Sequence, residues 1–319
     1  MDKIVINGVS NRNFIEKYAY DFNYIIENKI DPNTLSERYY RKGKACWVFQ
    51  TLINLNYYFG ERFNVKISDV AENESINIIH YDDFSFKTKP WRGYTIVCQA
   101  DRPSLNEYSS YYTVVQNPFQ AESQKIYIPH WPQPNIKVRE RIDNNIKTIA
   151  FFGHQNALPP FFSSENFIKE LEVRHINFIH SLSDWTDYRN VDIAISFRKG
   201  NYDELIKKPS SKLINAWYAG CPFICDEEPS IKAIRKSHLD YLVAHDQEQL
   251  ISTIDELQNN QLLYIDMVRN GRIRFLEFER QVTASKWNDL ISSIISKKTP
   301  AHLSRFLVYS LNKINLLKK

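Results

Sequence analysis

The chain has 319 residues, 43% of them hydrophobic and 24% charged, a balance that excludes wholesale disorder and a length that suits two domains. Its formal net charge of +4 is far from the footprint of a nucleic-acid binder but compatible with an anionic substrate or membrane surface. No apolar run approaches the ~18 residues that a membrane-spanning helix requires.

The opening Met1-Asp2-Lys3 leads into a short strand-like stretch and does not read as a signal peptide. The next residues, up to about 40, are rich in Asn, Tyr and charge and show no legible period. Arg41-Lys42-Gly43-Lys44 then precedes a buried-face helix from Ala45 to Leu52, with Gly43 permitting a tight turn or a close ligand approach. Five short β-branched or aromatic runs follow, Phe63 to Ile67, Ile76 to Ile79, Tyr94 to Cys98, Tyr112 to Val115 and Lys125 to Ile128. Their spacing leaves room only for brief connecting helices. Pro129-His130-Trp131-Pro132-Gln133-Pro134 continues neither helix nor central strand, so residues 129–147 read as a linker.

Beyond the linker the alternation is cleaner. Strands are expected at 148–152, 176–180, 191–197 and 222–225, with helices near 164–173, 183–189, 211–219, 230–236 and 246–257. That rhythm predicts a parallel, doubly wound sheet whose ligands bind at the carboxyl ends of the strands. Helices continue to residue 296, where Trp287, Leu290, Ile291 and Ile294 form an apolar stripe. Residues 297–319 are apolar and basic. They read either as an amphipathic segment on an anionic membrane or as a closing helix packed on the protein.

The informative segment is Lys208-Pro209-Ser210-Ser211-Lys212-Leu213, which opens a helix ending at Ala219-Gly220-Cys221-Pro222. Pro209 stops what precedes it, Ser210 or Ser211 is a good N-cap, and Gly220 ends the helix where glycine is favoured. A helix start carries free N–H groups and the positive end of a dipole, so it suits phosphate. Two hydroxyls and Lys212 add donors and charge. Arg198, just past the strand Asp192 to Phe197, falls on the same sheet edge and can grip a phosphate with two N–H groups.

These residues resemble the GT-B glycosyltransferases, many of which open a helix with a Pro-Ser-Lys-Leu-type turn and end it in Ala-x-Gly-x-Pro before a short strand. The resemblance is strong over some 20 residues. It implies two Rossmann-like α/β domains with a cleft between them and C-terminal helices. It also implies that the turn holds a nucleotide-sugar's phosphates and that Glu227 and Glu228, after the strand at Phe223, lie near the donor. Thr148 to Gly153 and His154 resembles the start of the family's C-terminal domain, where that loop faces the donor. Arg269-Asn270-Gly271-Arg272 and Phe275 resemble its tail. Asn215 stands where many retaining members carry an acidic residue that holds the donor ribose; an amide still bonds a hydroxyl.

The expected domains are residues 1–135 on the acceptor side, 136–296 for the donor, and the tail 297–319. In such a fold a base for the acceptor hydroxyl comes mostly from the first domain. Asp101 is the first candidate there, followed by His80 and Asp83, with Arg102, Asn117 and His130 as further cleft residues. Asp82-Asp83 is only a weak mimic of an Asp-x-Asp metal motif. If the cations neutralise the phosphates, no metal and no cofactor beyond the sugar nucleotide is required. Cys46, Cys98, Cys221 and Cys225 lack the second pair or His cluster of a zinc site and read as core thiols of a reducing, cytoplasmic compartment. The 19 Tyr and 19 Phe either stack on sugars or fill cores. The expected function is transfer of a sugar to a glycan or lipid-linked acceptor, at the inner membrane face if the tail binds there. The alternatives are a catalytically inactive scaffold and a transferase for a CMP-activated acidic sugar of the Kdo or sialic type.

Overall fold

The computed structural model describes residues 2–105, 112–153, 157–181, 184–296, 305–307 and 309–310. The chain forms two compact units, one from Met1–Pro134 with Arg280–Lys319 and the other from Asn135–Glu279.

In the first unit, β1 (Ile4–Val9) leads to α1 (Arg12–Glu27), whose N-cap Asn11 accepts a hydrogen bond from the Phe14 N–H at 3.1 Å. Tyr18, Phe22 and Ile25 recur at helical spacing and are buried, so a stripe hidden among Asn and Tyr supplies the packing face. After α2 (Arg38–Arg41), a π-helical turn at Ala45–Phe49 runs into α3 (Gln50–Phe59). The strands β2 (Phe63–Ser68), β3 (Ile76–His80), β4 (Tyr94–Cys98), β5 (Tyr112–Val115) and β6 (Lys125–Tyr127) complete the sheet. Its order is β2-β1-β3-β4-β5-β6 and every pairing is parallel, so the strands end on one common edge. Among the described residues, the connections from β3 onward are irregular or single 3-10 turns, as the tight spacing requires.

The second unit carries β7 (Thr148–Phe152), α4 (Glu165–Val173), β8 (Asn177–Ser181), β9 (Ile193–Ser196), α5 (Tyr202–Leu205), α6 (Ser211–Ala219), β10 (Phe223–Cys225), α7 (Pro229–Lys232), β11 (Leu242–Val243), α8 (Gln247–Asn259) and α9 (Gln261–Phe275). Its sheet, β11-β10-β9-β7-β8, is again wholly parallel. Residues 184–189 are not the short helix expected there. Asp184 Oδ1 accepts from the Thr186 N–H at 2.8 Å and from its hydroxyl, a local turn that competes with helix. β11, only two residues long, has no counterpart in the sequence reading. Arg139 and Asp192 form a fully buried ion pair at 3.0 Å that ties the start of this unit to the entry of β9.

The chain then returns to the first unit through α10 (Arg280–Ile295). Ala284, Trp287, Leu290, Ile291 and Ile294 pack in one core with Ile6, Phe22 and Leu52. The sequence reading placed residues 136–296 in a single domain; α10 lies in the other, because its stripe completes that core. The Arg280 guanidinium is buried and donates to Asn33 Oδ1 at 2.8 Å, Gln50 Oε1 at 2.7 Å and the Pro132 carbonyl. Of the tail, Phe306 sets its ring edge-on to Trp91 at 5.1 Å, and Tyr309 is buried against Trp91 and Phe84. The described apolar rings of the tail therefore face their own unit. No helix among the described residues is long and apolar enough to cross a membrane. All four cysteines are buried and unbridged, and burial pushes the Cys221 thiol up to about 12, so they behave as core side chains.

Candidate functional site

In the second unit α6 connects β9 to β10, so its N-terminus stands at the edge where the parallel strands end. Register pairs Ser196 with Cys225. The residues two or three beyond each strand therefore meet. The Arg198 guanidinium reaches Glu228 Oε2 at 2.6 Å, and Ser196 Oγ donates to Glu228 Oε1 at 2.8 Å. Glu228 is almost wholly buried, so its carboxylate is stabilised by a cation and a hydroxyl held on the neighbouring strand's exit. An arginine has five N–H donors, and this arrangement orients the guanidinium while leaving donors for a ligand.

Lys212 sits in the first turn of α6. Its side chain is only partly exposed, and its ammonium lies 3.9 Å from the centre of the Phe151 ring. A Cβ added to Gly153 would fall 3.0 Å from the Phe151 ring and 3.4 Å from that ammonium, so the bare backbone after β7 leaves room chiefly for the ring beneath the amine. Burial first, then the nearby charges of Arg198 and Lys208, holds the Lys212 pKa well below its ordinary value, while Glu228 opposes them. Among the described residues no carboxylate forms an ion pair with Lys212. Ser210 is the N-cap by position, but its side chain makes no capping bond, so the first N–H groups of α6 lack that partner. At the other end Gly220 adopts φ +75°, the left-handed cap expected of it.

Of the remaining expected donor residues, Ser211 opens the helix, and Asn215 is buried one turn further along the same helix as Lys212. The Glu227 carboxylate is engaged elsewhere, by the Tyr241 hydroxyl at 2.9 Å, Arg235 at 3.1 Å and Lys232 at 3.3 Å. His154 lies outside the described residues. Ser196 and Ser230 were missed. Ser230, at the start of α7, has a buried hydroxyl with no partner among the described residues. Neither belongs to a motif; only the strand register brings Ser196 to Glu228.

At the corresponding edge of the first unit, Asp83 is buried and fully engaged. It accepts from Ser10 Oγ, from Asn11 Nδ2 at 3.2 Å and from Lys44 Nζ at 2.6 Å. His80 Nδ1 accepts the Asp82 N–H at 3.1 Å, and burial lowers its pKa, so the neutral ring carries its proton on Nε2. A Cβ at Gly43 would fall 3.0 Å from that nitrogen. In this tautomer His80 donates at Nε2 rather than accepting a proton there. Arg102 forks onto Asp82 at 2.6 and 2.8 Å. Asp101 accepts from the Gln116 amide, and Asn117 caps a 3-10 turn through the Phe119 N–H at 3.0 Å. His130 Nδ1 lies 3.0 Å from the Trp131 carbonyl and Nε2 3.2 Å from the Cys46 sulfur, so both ring nitrogens point to protein groups. Among the described residues no three His, Cys, Asp or Glu side chains converge as a metal cluster.

Two parallel-sheet Rossmann-like units with these helices define the chain as having the GT-B fold. No protein-family model matches the sequence, and no curated protein matches it. Among solved structures, the chain is similar to an α1,3-fucosyltransferase with GDP-fucose, at TM-score 0.54 and 10% identity over 93% of this chain and 92% of that one. It is similar to Anabaena HepE in complex with UDP and glucose, at TM-score 0.52 and 10% identity over 91% and 100%. TarM matches at TM-score 0.50 and 9% identity over 76% of this chain, which spans 58% of TarM's length.

Proposed function

We propose that this chain is a glycosyltransferase that takes a sugar from a nucleotide-sugar donor held by its second unit and passes it to a glycan or lipid-linked acceptor in surface polysaccharide or glycoconjugate synthesis. The carrying observation is the set of Arg198, Lys212 and the uncapped first turn of α6 at one sheet edge. Two cations and a helix start suit a diphosphate. As the bond from the anomeric carbon to the phosphate oxygen breaks, the electron pair leaves on that oxygen, and fixed cations stabilise the charge without reorganising. The fucosyltransferase and HepE structures, whose printed ligands are GDP-fucose and UDP with glucose, support the donor class.

Metal independence is part of the proposal, because Arg198 and Lys212 supply the charge a divalent cation otherwise brings. Activity that survives excess EDTA supports it; complete loss restored by magnesium or manganese refutes it. Contact of the basic tail with an anionic membrane is likewise proposed, and undiminished sedimentation with anionic vesicles after truncation at Ser310 would remove that role. The donor reading is tested by thermal shift with UDP, GDP and CMP. A ligand at 100 times its dissociation constant adds about 2.7 kcal/mol. A shift with UDP or GDP supports the reading, a shift with CMP alone moves it to an acidic-sugar donor, and no shift with any nucleotide overturns it.

A further inference from the structure

The helix α9 is apolar on two sides. Tyr264, Met267 and Val268 turn inward and are buried in the core of the second unit. Gly271 fixes that inward side, because a Cβ there would fall 2.8 Å from the Trp217 ring. On the opposite side Leu262 is 68% exposed, Ile273 66% and Leu276 55%. A helix that packs one face on a core turns polar residues outward, whereas one that is apolar all round is covered on both sides. Single exposed apolar residues are ordinary, but these share one stripe. At about 100° per residue, Leu262, Asp266, Arg269 and Ile273 fall within about 60° of one another around the helix axis.

The stripe runs apolar, acidic, basic, apolar, and it is its own complement when turned end for end. Leu262 and Ile273 lie equally far from the midpoint between Met267 and Val268, and so do Asp266 and Arg269. A two-fold axis through that midpoint, perpendicular to the helix, lays a second α9 antiparallel on the first. Leu262 then meets Ile273 of the second copy at either end, and Asp266 meets Arg269 of the second copy twice at the centre. A two-fold interface requires this self-complementarity. Within one chain Arg269 Nη1 lies 4.0 Å from Asp266 Oδ1, with the side chains 71% and 40% exposed. An exposed pair that long contributes little by itself, so both charges can re-pair across the axis at small cost.

We infer that the outward face of α9 is a homodimer interface, in which two copies of this chain pair their α9 helices antiparallel about the midpoint of Asp266 and Arg269. The central charges set the register, as one polar layer does between paired helices. A foreign partner would need an apolar stripe but not its symmetry. The 15 residues of α9 make a helix about 22 Å long, and one face of it covers less than the ~800 Å² per partner of a standard interface. The association is therefore weak and concentration-dependent. It does not rest on the sugar-transfer reading, since none of these side chains is among the donor contacts.

Sedimentation velocity on the full chain, from about 1 to 200 μM, reads the monomer–dimer equilibrium. The wild type is expected to dimerise with a dissociation constant on the order of 10 μM. Ile273→Gln is expected to weaken it at least tenfold. Asp266→Arg alone gathers four cations at the axis, and Arg269→Asp alone four carboxylates, so each variant by itself is expected to remain monomeric. Mixed in equal amounts, the two place opposite charges across the axis and are expected to form a heterodimer within about threefold of the wild-type affinity. Folding is not at issue in that comparison, because the same two samples fail alone and associate together. The inference is overturned if the wild type stays monomeric throughout, if Ile273→Gln or either charge variant dimerises as the wild type does, or if the mixture stays monomeric. A wild type that dimerises but gives no thermal shift with UDP, GDP or CMP counts against the donor reading alone.

Discussion

Replacing Lys212 by Met keeps an unbranched stem against Phe151 and removes the charge. The ammonium lies 3.9 Å from the ring centre with no carboxylate ion-pair partner among the described residues. A charge-assisted hydrogen bond contributes about 1.5–3 kcal/mol. At ~1.4 kcal/mol per decade, the dissociation constant for UDP or GDP is expected to rise roughly 10- to 150-fold. Folding should not suffer, because the variant no longer buries an amine. The pH dependence follows from the direction of the shift. Burial holds the folded-state pKa below that of the unfolded chain, so between those two values the unfolded state binds more protons and stability rises with pH. A phosphate favours the protonated amine, so nucleotide binding takes up a proton in that window and weakens as pH rises through it. Calorimetry in two buffers of different ionisation enthalpy, at several pH values, reads both effects, and urea unfolding reads the first. A Met variant that binds within twofold of the wild type would refute the role of Lys212. Wild-type affinity that is flat with pH would refute the coupling.

Glu228→Gln removes the counter-charge from Arg198 in a pair that is 2% and 14% exposed, and is expected to cost about 3 kcal/mol in urea unfolding; a cost near zero would mean the pair is not formed. Gly220→Ala forces φ +75° on a residue with a Cβ, 3.1 Å from Arg272, and should cost roughly 1–2 kcal/mol while leaving β10 in place. Circular dichroism melts that coincide with the wild type would contradict that. Arg280→Met strips three hydrogen bonds that join Asn33, Gln50 and Pro132, for an expected loss of about 3 kcal/mol, read by denaturant titration. An unchanged midpoint would show that α10 does not depend on them.

Much of the second unit was legible because its signals are local. The turn at Pro209 to Lys212, the apolar face of Leu213, Ala216 and Trp217, and the glycine stop at Gly220 all lie within a dozen residues. Short-range sterics and capping decide such features. The strand runs from Thr148 to Cys225 declare their type in the same way, and their alternation with helices implies a parallel sheet. α1 was not legible, since Tyr18, Phe22 and Ile25 are outnumbered by Asn, Tyr and charge in any window.

What the tertiary structure alone decided is partnership. Trp287, Leu290, Ile291 and Ile294 announce a stripe in the sequence, but not that it packs with Ile6 and Leu52. Arg198 meets Glu228 across 30 residues only because Ser196 and Cys225 share a register. Lys212 reads only as a cation at a helix start until Phe151 is laid beneath it. That the Gln99 amide has no partner among the described residues is invisible without knowing which atoms surround it. Helix, strand and turn preferences are properties of a few neighbouring residues, whereas the choice of which apolar face or charge is buried against which depends on the whole chain's burial at once.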